Sequence, residues 1–66
     1  MRLYQVQLET PYEIFSFEIG TDEYDAVEIA TEFLKSAFGD YSPYHVGGYD
    51  CIGTTNKEGV VSFKRI

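Results

Sequence analysis

Cysteine is nearly absent from this sequence: Cys51 stands alone, which excludes an intramolecular disulfide. There is no tryptophan and there are only two prolines, Pro11 and Pro43, so few positions force a break in regular structure. No apolar run is long enough to span a bilayer. The opening residues MRLYQVQLET alternate polar and apolar and contain no signal-peptide core, so a cytoplasmic location is expected, where a single reduced thiol is ordinary. Cations are scarce too, with five Lys and Arg against eleven Asp and Glu for a net charge of −6. That shortage argues against direct nucleic-acid binding, which needs cations to neutralise phosphates, and against anionic membranes.

What is present is apolar and aromatic. With 44% hydrophobic residues, five Phe and six Tyr among 66, the chain is too apolar for a disordered tail and reads as a single domain over residues 1–66. A chain this short buries only about 60% of the surface it exposes when unfolded, so its core must be thin and stability must come from packing or from a partner chain.

The pattern predicts β-β-α-β-β. Tyr4, Val6 and Leu8 alternate with Gln5, Gln7 and Glu9, the period-2 signature of a half-buried strand. Thr10-Pro11 supplies a turn, and Tyr12 to Ile19 returns with Phe15, Phe17 and Ile19 on one face and Ile14 on the polar side. After Gly20, Thr21 is the expected N-cap of a helix of about 17 residues ending at Gly39. Its apolar arc takes in Tyr24, Ala26, Val27, Ala30, Phe33, Leu34, Ala37 and Phe38. A Gly-, Pro- and Tyr-rich loop follows, with Tyr44 to Val46 as a potential strand start. Tyr49 to Thr55 and Val60 to Ile66 then read as a second hairpin closed by Asn56 to Gly59. The expected fold class is α+β, one antiparallel sheet of about four strands with a single helix packed on one face.

Motifs that carry chemistry are few. Gly47-Gly48 has no helix after it to present amides to a phosphate, and the Thr21 to Asp25 run lacks the alternating oxygen ligands of a calcium loop, so it reads as helix capping. His45 has Cys51, Asp40 and Asp50 nearby, all capable of ligating zinc, but at no customary spacing; Cys51 reads as a small buried hydrophobe. No catalytic residue, metal site or cofactor is expected.

Charge is where the sequence is most specific. Between Leu3 and Leu34 lie eight acidic residues and no Lys or Arg, while the rest of the chain carries +2. On a helical projection Asp22, Asp25, Glu28 and Glu32 fall opposite the apolar arc with Ile29 among them, and Asp25 to Glu32 spreads carboxylates over roughly 10 Å. Such a face is a solubilising surface at the least, and it is also the complement of a Lys/Arg groove. Tyr41, Tyr44 and Tyr49 add stiff contact area with hydroxyl donors; two of the three are expected to cap the core and one to face solvent.

In size, in the acidic stretch Glu9 to Glu32, in its β-β-α-β-β outline and in Tyr41 and Tyr44, the chain resembles small phage or mobile-element inhibitors of the anti-CRISPR and anti-restriction type. That resemblance implies a non-enzymatic, DNA-mimic-like binder that presents Asp22, Asp25, Glu28, Ile29, Glu32, Tyr41, Tyr44 and Tyr49 to a basic, nucleic-acid-handling protein. The alternative is an assembly module acting through homodimerisation or docking into a larger complex.

Overall fold

Alternation along the first two strands decides the architecture. A computed structural model describes residues 1–39 and 44–66. It shows β1 (Arg2–Glu9), β2 (Ile14–Thr21), α1 (Ala26–Phe38), β3 (His45–Thr54) and β4 (Gly59–Arg65), with all four strands in one antiparallel sheet. β1 and β2 form the expected hairpin, pairing Val6 with Phe17 and Leu8 with Phe15. Thr10 closes it: its Oγ1 accepts from the Tyr12 and Glu13 amides at 3.2 and 2.9 Å, and its own amide donates to the Glu13 carbonyl.

Val6, Leu8, Phe15, Phe17 and Ile19 are fully buried against Ala26, Ala30 and Leu34 of α1. Alanine at 26 and 30, one turn apart, lets the helix lie close to the sheet. Phe63 of β4 completes the core, its ring 5.1 Å from Phe17 and 5.0 Å from Phe33.

The sheet order is β3-β1-β2-β4, so the expected second hairpin does not form: β3 and β4 lie on opposite edges. The central hairpin is the most apolar part of the sheet and takes a neighbour on both sides, and the Thr55 to Glu58 connection runs past its end to reach β4. The N-terminal amine donates to the Thr55 carbonyl and the Thr55 amide donates to the Met1 carbonyl. Gly20 makes the passage feasible, since a Cβ there would lie 2.1 Å from the Lys57 carbonyl oxygen.

The helix is also shorter than expected, 13 residues, and its N-cap is Asp25 rather than Thr21. Asp25 Oδ1 accepts from the Val27 amide at 2.8 Å, whereas Thr21 ends β2 and closes a turn by accepting from the Tyr24 amide. Both are good caps by residue type; continuing β2 through Thr21 displaces the helix start by four residues. Tyr24, placed on the apolar arc by sequence, is therefore exposed ahead of the helix. At the other end Gly39, with φ of 81°, donates its amide to the Lys35 carbonyl. No helix among the described residues is long and apolar enough to cross a membrane.

Candidate binding surface

α1 packs on β1, β2 and β4, and β3 extends beyond it. Nine of the ten β3 residues are exposed, with Gly48 half-buried. The helix flank facing β3 and the helix-side face of β3 together make an open step in the surface. Cys51, expected to be buried, is exposed there because no helix covers its strand.

Tyr44 roofs part of this step. The Thr31 hydroxyl lies 2.8 Å from the Val27 carbonyl and 2.9 Å from the Tyr44 hydroxyl. A carbonyl only accepts, so Thr31 donates to Val27 and Tyr44 donates to Thr31. This pins the half-buried tyrosine over the helix and leaves a groove of about 420 Å³ lined by Val27, Glu28, Thr31, Glu32, Lys35 and Tyr44. Glu28 and Glu32 stand exposed on its rim. Tyr49 is 46% exposed, its ring tilted against Tyr4 with centroids 5.4 Å apart. Partial burial, and after it the Asp25 carboxylate, pushes the Tyr49 phenol above its ordinary pKa.

Five of the eight sequence-selected residues, Asp25, Glu28, Glu32, Tyr44 and Tyr49, thus gather along one flank of the molecule. Asp22 does not join them: its Oδ1 accepts from the Arg2 amide at 3.1 Å and it lines a separate 180 Å³ pocket with Tyr24 and Glu58. Ile29 is half-buried and packs against the core instead of standing out from the acidic stripe. Tyr41, like Asp40, lies outside the described residues. Of the three loop tyrosines, Tyr44 is therefore half-buried and Tyr49 exposed.

Val27, Thr31 and Lys35 complete the groove without having been among the sequence-selected binding residues, Val27 having been placed on the apolar arc. Their i, i+4, i+8 spacing is the available signal, a flank between the buried and acidic faces.

Folding treats the two groups of acids differently. In the hairpin, Glu9 sits 2.6 Å from His45, Glu13 sits 3.5 Å from Arg65, and Glu18 accepts from the Ser62 hydroxyl at 2.7 Å. Each is engaged by a residue from the second half of the chain. On α1, by contrast, none of Asp25, Glu28 and Glu32 takes a cationic partner among the described residues. The charge imbalance is thus moderated on the sheet and concentrated on the helix.

His45 and Cys51 do not converge. His45 pairs with Glu9 and Cys51 with Tyr4, five positions apart along β1 or roughly 17 Å at strand rise. Among the described residues no group of three His, Cys, Asp or Glu side chains is placed to hold a metal. Comparison with known proteins returned no match to a family model, to a curated protein or to a solved structure.

Proposed function

We propose that this chain is a non-enzymatic binding protein, an inhibitor of the phage and mobile-element type. It lays the α1 carboxylates, with Tyr44 and Tyr49, on the basic surface of a nucleic-acid-handling protein. The observation that carries this reading is the helix stripe: Glu28 and Glu32 form no ion pair among the described residues, with Asp25 capping the helix before them and Lys35 on the same groove, while Glu9 and Glu13 of the hairpin have basic partners. Spread over about 10 Å of helix, these carboxylates are spaced on the same scale as backbone phosphates. Tyr44, held by Thr31, and Tyr49, packed on Tyr4, supply contact area beside them.

Binding of this kind is fast at low salt and weakens as salt rises. The test is capture from nuclease-treated lysate of the native host, with wild type and Glu28→Lys/Glu32→Lys side by side. Asp25 is left intact because it caps the helix. The expected result is a nucleic-acid-handling protein retained by wild type and lost in the variant. Equal retention by both would sink the proposal.

A further inference from the structure

The two edges of the sheet are built differently. β4 is seven residues long, ends in Lys64 and Arg65, and has its Phe63 face covered by α1. Edge cations of this kind discourage another strand from pairing. β3 is ten residues long, holds no lysine, arginine or proline, and is exposed nearly throughout. Its outer side is the end of the sheet, so its backbone has a row of hydrogen-bonding groups with no ladder neighbour. In a chain of net charge −6, this strand has Asp50 as its one carboxylate and His45 as its one basic side chain.

The strand is also self-complementary. β3 shifts register against β1 at Gly47: Val46 pairs with Leu8, and Gly48 with Gln7. The extra residue changes which side chains share a face. Val46 and Tyr49, opposite Leu8 and Val6, both lie on the helix side. His45 and Asp50, opposite Glu9 and Gln5, both lie on the open side. When two copies of β3 run antiparallel about a two-fold axis between Gly47 and Gly48, the six residues His45 to Asp50 of each copy pair with one another and their side chains match. Val46 faces Tyr49 of the second copy, a β-branched residue against an aromatic one, and His45, while it holds Glu9 of its own copy, faces Asp50 of the second copy, a base against an acid. A two-fold interface demands this property, because one patch must serve as both partners.

We infer that the outer edge of β3 pairs with β3 of a second copy of this chain, joining two four-stranded sheets into one of eight strands. The exposed Val46 and Tyr49 meet under the step left by the two helices, while Lys64 and Arg65 keep the outer edges of the assembly unpaired. An interface of one short strand per copy buries less than about 1,200 Å² in total, the class of weak, reversible association. Two acidic helices face one another across the pair, so salt strengthens the dimer by screening their repulsion. This is opposite in sign to the salt dependence of the proposed partner binding, and either can fail without the other.

The experiment is sedimentation equilibrium of the full chain from about 10 µM to 1 mM, at low and high salt. The expected result is a monomer–dimer equilibrium that shifts to dimer with salt. Val46→Lys, with folding checked by circular dichroism, is expected to weaken it at least about tenfold, because the cation must be buried against Tyr49 of the second copy. Register is read by mixing Val46→Cys and Tyr49→Cys, each in a Cys51→Ser background, under mild oxidation. The mixture should form a disulfide-linked heterodimer. Each variant alone should stay uncrosslinked, since like positions lie about three residues, roughly 10 Å, apart along the pair. A monomer throughout the range overturns the inference, as does a dimer indifferent to Val46→Lys in folded protein, or a mixture that crosslinks no better than its parts. If Val46→Lys does not fold, the wild-type series and the crosslinking decide.

Discussion

The flank built from β2, β4 and α1 and the flank built from β1, β3 and the outer side of α1 share one hairpin, yet they differ in what they leave exposed. On the first, Phe63 reaches into the core and Arg65 lies over Phe38 at 4.9 Å while pairing with Glu13, so aromatic surface and charge are both used internally. On the second, Tyr44 and Tyr49 cover the core only partly, and Glu28 and Glu32 form no ion pair among the described residues, although Lys35 lines the same groove. The first flank holds the fold together. The second is available for binding because folding does not consume it.

That contrast breaks most visibly in stability. Phe63→Ala is expected to cost about 3 kcal/mol, because it removes a ring packed on Phe15, Phe17, Phe33 and Phe38, and Tyr49→Ala about 1 kcal/mol or less. Urea unfolding of the two variants checks this; equal losses would mean that β3 is as much a part of the core as β4. Gly20→Val should come next, at about 2 kcal/mol, since its side chain meets the Lys57 carbonyl and displaces the connection to β4. An unchanged unfolding midpoint would show that the crossover does not pass where the structure has it.

Smaller effects sharpen the comparison on the open flank. Tyr44→Phe removes the bond to Thr31 and should cost about 1 kcal/mol in the same assay. Because the folded-state pKa of Tyr49 is raised above its unfolded value of 10.0, the folded chain holds that proton longer. Stability from this group is therefore full below pH 10 and is lost as pH rises through the folded pKa. Spectrophotometric titration of wild type against Tyr49→Phe should find a phenol titrating above 10 that the variant lacks. Smallest of all, Glu32→Gln should stabilise the helix by about 0.2–0.5 kcal/mol by relieving the like-charge pair with Glu28 while weakening partner binding.

Much of the fold was legible in local pattern. Alternation of Tyr4, Val6 and Leu8 and of Phe15, Phe17 and Ile19 specifies the hairpin, and the apolar positions Ala26, Ala30, Phe33 and Leu34 specify the helix face. Strand order was not legible, because a four-residue connection with Gly59 at φ of 92° serves a tight hairpin and a crossing equally well. What the crossing needs is non-local: room at Gly20 for the Lys57 carbonyl to pass. The helix start was misplaced because Thr21 and Asp25 are both competent caps and tertiary pairing of β2 chose between them. At the candidate surface, the acids followed from helical periodicity, and the placement of Tyr44 and Tyr49 beside them needed the fold. The burial of Ile29 and the exposure of Cys51 both depend on where α1 ends and β3 overhangs, which no single window of sequence contains.

The most direct test of the acidic helix stripe is the affinity of the captured partner for wild type and for Glu28→Gln/Glu32→Gln across a salt series. The expected result is a steep loss of wild-type affinity with salt, and a double variant that binds at least about tenfold more weakly at low salt with a shallower slope. Superimposed curves for the two proteins would contradict it.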